Sequence, residues 1–184
     1  TTTDTLSLHD ALPIYFLMAI LDGEESELLG AAEKISDIAS KRGAADAFAT
    51  GAADRQAEIL AIRSLVYEAL KRETVEILDV VLPRSRMEEH VAFVGELSAR
   101  TGVWLPTYGH AADGNLHTHL MKTAPDGTPV DGWEETCAGI RREIHADARK
   151  RGGRVSGEHG IGFTKREYMA LFHDPAALRA MAGI

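Results

Sequence analysis

Residues 103–121 read VWLPTYGHAADGNLHTHLM, two strand-like segments (103–110 and 115–121) on either side of an Ala-Asp-Gly turn at 112–114. A chain that turns back through so short a connection must lay the two segments side by side and antiparallel, because parallel pairing needs a crossover of about a dozen residues or more. The flanking sequence supplies helices and further strands. Apolar residues at Leu28, Leu29, Ala32, Ile35, Ile38 and Ala39 predict a helix over 24–42, with Gly43 at its C′ position. Ile59, Ile62, Leu65, Val66, Ala69 and Leu70 predict an apolar face on a second helix over 54–72. Strand character over 75–82 stops at Pro83, and Ser85 with Glu88 forms a capping box for a third helix ending near Gly102. A fourth helix is predicted over 133–151, closed by Gly152-Gly153, and short helical pieces over 165–172 and 176–181. Apolar runs at 15–21 and 47–50 predict two more strands. The expected class is α+β, a largely antiparallel sheet with helices packed on one face.

The 184 residues suit one globular domain, with 45% hydrophobic and 26% charged residues, enough to bury a sizeable core. The net charge of −8, without a basic stripe, argues against nucleic acid or an anionic membrane as partner. Cys137 has no second cysteine to pair with and fits a reducing compartment, so a cytoplasmic location is expected. The apolar run over 11–21 is interrupted by Pro13 and is too short to span a bilayer. Residues 5–14, TLSLHDALPI, resemble the in-frame translation of a sequencing adapter, so native sequence is expected from Tyr15. Residues 15–184 are then expected to be one domain truncated at both ends, since the chain also stops within a helical segment.

Chemistry concentrates in two short stretches, GHAADGNLH at 109–117 and SGEHGIG at 156–162. On one flat strand His110 and His117 would face opposite sides, but the intervening turn lets both imidazoles converge. Imidazole suits zinc, manganese or iron, and Glu158 as a third ligand leaves a position open for a substrate oxygen. Gly157, Gly160 and Gly162 enclose the Glu158-His159 pair and allow its backbone positive φ or close approach to a ligand. The carboxylate can go to the metal and the His159 imidazole to a substrate proton. The plain alternatives are two hydrogen-bonded histidines beside a turn, and a helix-start turn capped by Ser156 or Thr164. His90, His145 and His173 fall on helices without a ligand partner at suitable spacing and are expected at the surface or its boundary; Trp104 and Trp133 read as packing residues.

GHAADGNLH, VSGEHGIGFTKREYM (155–169) and LDVVLPRSRM (78–87) together resemble the C-terminal domain of FAD-linked oxidases of the vanillyl-alcohol-oxidase type. Within that family the resemblance is nearest to the glycolate oxidase flavin subunit and to D-lactate and D-2-hydroxyglutarate dehydrogenases. It implies a ferredoxin-like cap domain over FAD held mainly by a separate N-terminal domain. It also implies a D-2-hydroxy-acid substrate oxidised to the 2-oxo acid, and an electron-transfer subunit or carrier as partner, with attachment to the inner membrane face only through such partners. Carried over residue by residue, the resemblance makes His110, His117 and Glu158 the ligands of a divalent metal, zinc or manganese, and His159 the catalytic base. It assigns Arg63 and His119 to the substrate and Asn115 to the cofactor. Leu60 stands where these enzymes have an aromatic residue before the arginine, and His119 where an asparagine is usual. Ile77 replaces a lysine of the 2-hydroxyglutarate subgroup, so glycolate or D-lactate is the expected substrate type. Two rival readings remain open: a non-redox metal-binding cap or interaction module, and a metal-dependent hydrolase using His117 and His119.

Overall fold

The computed structural model describes residues 15–184, so the adapter-like segment lies outside the described residues. The chain divides into two compact units, Thr1–Val66 and Tyr67–Ile184. In the first, α1 (Glu25–Lys41) follows the predicted periodicity, and Gly43 takes the left-handed conformation (φ 86°) just past its end. The strands predicted at 15–21 and 47–50 do not form. Both stretches are extended in places but belong to no ladder, and Phe16 and Phe48 are almost fully exposed. Apolar composition makes a strand only where a neighbouring strand takes up its backbone N–H and C=O groups. The second helix, α2 (Ala53–Leu70), begins in this unit and ends in the other. Its predicted apolar face is not a buried one: Ile59, Ile62, Leu65 and Val66 are exposed, and only Leu70 is buried.

The second unit is built on three antiparallel strands, β1 (Thr74–Val81), β2 (Thr107–His110) and β3 (Asn115–Met121), in the order β1-β3-β2. The hairpin predicted from the Asp-Gly turn is therefore present, and β1 adds to the far edge of β3 rather than to its sequence neighbour. Between β1 and β2 lies α3 (Met87–Thr101), and after the sheet come α4 (Trp133–Lys150), α5 (Met169–Phe172) and α6 (Pro175–Ala182). Among the described residues the fold is thus mixed α+β, six helices with a three-stranded antiparallel sheet packed against helices. The Ser85–Glu88 capping box is not used. Residues Arg84–Arg86 form a 3-10 turn instead, so that Arg86 becomes the N-cap of α3 without a side-chain cap bond. Gly102 ends α3 as predicted, at φ 71°.

Side chains alternate across a strand, and the two faces of this sheet have opposite chemistry. Leu78, Val80 and Leu82 from β1 and its end, with Leu116 and Leu120 of β3, join Val94 and Leu97 of α3 and Cys137, Ile140, Ile144 and Ala148 of α4 in one core. Burying each such aliphatic chain contributes about 1.5–3 kcal/mol. The other face carries Ile77 and Asp79 of β1, Asn115, His117 and His119 of β3, and Tyr108 and His110 of β2. Register sets Asp79 opposite His117 and Tyr108 opposite that same His117 from the other side.

Two histidines expected near the surface are fully buried. His90 on α3 lies 2.6 Å through Nδ1 from Asp147 Oδ2 of α4, and the same oxygen accepts from Arg151 Nε at 2.6 Å. His145 on α4 lies against Tyr168, with ring centroids 4.3 Å apart and planes tilted by 32°, and neither of its ring nitrogens has a hydrogen-bond partner. Both histidines sit on the inward faces of α3 and α4, where burial favours the neutral imidazole. His173 is half-buried, at the C-cap of α5. Trp133 packs against the core as expected.

Candidate metal and substrate site

The polar face of the sheet and the loop over 156–159 make one site. The turn at 111–114 reverses the chain through Gly114, whose φ is 75° and where a Cβ would come 2.1 Å from the Leu82 carbonyl oxygen, so no other residue fits. That reversal pairs His110 with Asn115 and puts His110 and His117 on the same face. Their rings lie edge to face, centroids 5.6 Å apart. Glu158 Oε1 stands 3.1 Å from His117 Nε2 and 3.6 Å from His110 Nε2. One ligand atom from each of the three residues falls within 4.8 Å of the others, the spacing of a site able to hold a metal ion. The donor set, two imidazoles and a carboxylate, fits a divalent zinc- or manganese-type ion with a coordination position left over. His159 stacks on His117, centroids 4.7 Å apart and planes within 14°, with its side chain open to solvent.

The loop keeps its shape because it wraps a buried carboxylate. Asp79 Oδ2 accepts from Ser156 Oγ at 2.7 Å and from the amides of Gly157, Glu158 and His159 at 2.9, 3.0 and 2.9 Å. Lys165 Nζ, itself buried, lies 3.5 Å from that oxygen and donates to Ser156 Oγ at 3.2 Å. Burial alone would raise the Asp79 pKa. The His159 amide, the Ser156 hydroxyl, the Lys165 charge and the Glu158 amide outweigh it and hold the carboxyl at about 2. Ser156 therefore serves Asp79 rather than capping a helix. Gly160 and Gly162 take positive φ as expected, whereas Gly157 is needed for close approach, since a Cβ there would stand 2.5 Å from Asn115 Oδ1. Burial lowers the His117 pKa, and the neighbouring His159 lowers it further, against Asp79 and Glu158 which raise it. A neutral imidazole is the form that binds a metal.

The remaining site assignments meet other surroundings. Asn115 is buried beneath Gly157 with Oδ1 unpartnered, so its amide packs under the loop. His119 is fully buried, Nδ1 2.8 Å from Thr74 Oγ1 and Nε2 3.0 Å from Tyr108 Oη. Burial, then the nearby His117 and His159, push it down to about 4. With both nitrogens engaged, His119 is not free to join His117 in a hydrolase-type ligand pair. Arg63 is an exposed residue of α2 in the first unit. Asp79, Lys165 and Ser156 were not among the sequence candidates. The signal for Asp79 was an ionisable residue within the apolar run ILDVVL, where a lone charge is costly unless partners await it. Beside His159 opens a cavity of about 300 Å³, lined by Glu76, Ile77, Ile161, Thr164 and Lys165 among others.

A three-stranded antiparallel sheet presenting two histidines and a loop Glu-His pair defines a domain with a candidate metal site. The sequence matches the family described as FAD linked oxidases, C-terminal domain, over residues 7–184, and the chain belongs to that family. It is 37% identical to a D-lactate dehydrogenase of Archaeoglobus fulgidus over 134 residues, 73% of this chain and 29% of that protein. A D-lactate dehydrogenase of Anaerostipes hadrus is 30% identical over 172 residues, 92% of this chain and 36% of its own length. The glycolate oxidase subunit GlcD of Bacillus subtilis is 28% identical over 157 residues, 83% of this chain and 32% of that protein. The chain spans about a third of the length of these relatives. Among the described residues no helix is long and apolar enough to cross a membrane.

Proposed function

We propose that this chain supplies the substrate- and metal-binding part of a FAD-dependent D-2-hydroxy-acid dehydrogenase or oxidase of the glycolate or D-lactate type. The observation that carries the reading is the convergence of His110, His117 and Glu158, with His159 stacked beside them. A divalent ion held by those three residues supplies Lewis-acid polarisation of the substrate's oxygens, and FAD supplies the hydride acceptor. The chain's own residues do the rest. His117 offers Nε2 from a buried, neutral ring, and Glu158 neutralises positive charge at the site. His159 reaches the open side of the site, placed to take the substrate's hydroxyl proton. The cavity next to it favours a monocarboxylic acid: Ile77 is apolar, Glu76 is acidic, and the Lys165 ammonium is committed to Asp79 and Ser156. The relatives' names, D-lactate, glycolate and D-2-hydroxyglutarate, support a 2-hydroxy-acid substrate; the preference for a monocarboxylic one rests on the cavity lining.

The test is a Zn²⁺ or Mn²⁺ titration of the purified chain, read by equilibrium dialysis and elemental analysis. One ion per chain is expected in the native protein and none in His110→Ala or Glu158→Gln. Stoichiometric metal retained by both variants would remove the ligand assignment.

A further inference from the structure

Asp79 has two oxygens with two different tasks. Oδ2 is saturated by the four donors of the 156–159 loop, while Oδ1 has no hydrogen-bond partner although it is completely buried. Directly across the β1–β3 ladder, His117 Nδ1 is also buried and also unpartnered. The two orphaned atoms face each other at 3.7 Å. A buried polar atom without a partner is costly, and two that face each other share one remedy. A proton on Nδ1 points a donor at Asp79, but His117 Nε2 stands 3.1 Å from Glu158 Oε1, so either tautomer of the bare ring turns one lone pair toward a carboxylate. A cation on the Nε2 side resolves this: it takes that lone pair and leaves the ring proton to Nδ1 and Asp79 Oδ1.

We propose that Asp79 is the positioning residue of this site, shaping the Glu158-His159 loop through Oδ2 and holding His117 in the Nδ1–H tautomer through Oδ1. The Nε2 lone pair then stays free for the ion. Asp79, His117 and His159 also offer atoms within 4.8 Å of one another. That grouping is a poor cation site, because one oxygen is fully used and the Lys165 ammonium lies 3.5 Å from it. Asp79 therefore acts behind the ligands, and one residue ties the register of the sheet, the loop conformation and the tautomer of a ligand together. The tautomer rests on the proposed function, since the ion occupies Nε2; the shaping of the loop through Oδ2 does not.

The experiment compares the native chain with Asp79→Asn by Zn²⁺ titration, with the His117 ring read by long-range ¹H–¹⁵N correlation in the Zn²⁺-loaded protein and the amides of 157–159 read by hydrogen exchange in the metal-free one. Loaded His117 is expected to bind through Nε2 and keep its proton on Nδ1. In Asp79→Asn the amide oxygen must replace Oδ2 to satisfy the loop amides, which turns the NH₂ toward His117 Nδ1 and opposes that proton. Zn²⁺ affinity should fall about 10–100-fold, the usual effect of removing such a support. Ligation through Nδ1 in the loaded native chain overturns the proposal even if Asp79→Asn fails to fold. Unchanged affinity in a folded Asp79→Asn also overturns it. A native chain that binds no Zn²⁺ overturns the metal reading, while protected amides at 157–159 in that chain uphold the loop-shaping role.

Discussion

His159 and Glu158 are sequence neighbours with different surroundings, and the difference carries their division of labour. Glu158 points at two imidazole nitrogens, whereas the His159 ring lies against His117 and opens to solvent. In an enzyme joining this chain to a flavin-binding domain, His159→Ala is expected to lower turnover with D-lactate and glycolate by about 10²–10⁴-fold, the usual worth of a general base. Metal content should be retained. Dye-reduction kinetics check this, and unaffected turnover would exclude the base. At this scale the gathering of His110, His117 and Glu158 was legible, because adjacent glycines and a short turn advertise convergence. Asp79 was not, because a single acidic residue in an apolar strand does not say which distant amides will meet it.

Helices α3 and α4 cover the apolar face of the sheet and bring buried ionisable groups with them. Their spans were legible from periodicity and from Gly102 and Gly152-Gly153, which stop them. The burial of His90 and His145 was not, since neither breaks the helical pattern and only the packed arrangement decides which flank turns inward. That burial has a consequence for stability. Burial first, then the positive charge of Lys165, push the His145 pKa down to about 4, with Glu76 acting the other way. An unfolded histidine titrates near 6.5, so between that pH and about 4 the unfolded chain holds the extra proton and the folded one does not. The contribution is complete above about pH 6.5 and is lost as pH falls to about 4, on the order of 3 kcal/mol over the whole window. The urea midpoint is expected to drop between pH 7 and pH 5, and His145→Phe should shrink the drop without abolishing it, because His119 is also held at about 4. An identical pH dependence in His145→Phe would rule out this origin.

Across the whole chain, burial is one-sided. Every buried residue among those described falls between Leu70 and Tyr168, in the second unit, while α1 buries none. Removing residues 1–52 therefore takes away no buried side chain among the described residues. The shortened chain is expected to unfold cooperatively with a melting temperature within about 4 °C of the original, equivalent to about 1 kcal/mol or less. Calorimetry decides it, and a larger fall would show that the first unit stabilises the second. The apolar residues of 15–21 and 47–50 show why the predicted strand count was too high. Periodicity reports which residues are apolar, not whether a partner strand exists for them.

Local sequence determined the hairpin, which runs over 107–121 rather than from 103, the C-terminal ends of α1, α3 and α4, and the gathering of His110 and His117 at one turn, because turns, caps and side-chain period act over a few residues. Tertiary structure alone decided that β1 pairs with β3, that Asp79 stands across from His117, and that the 156–159 loop closes over that carboxylate. These contacts join residues 34 to 80 positions apart, and their free energy comes from hydrogen bonds and burial that exist only once the sheet has formed.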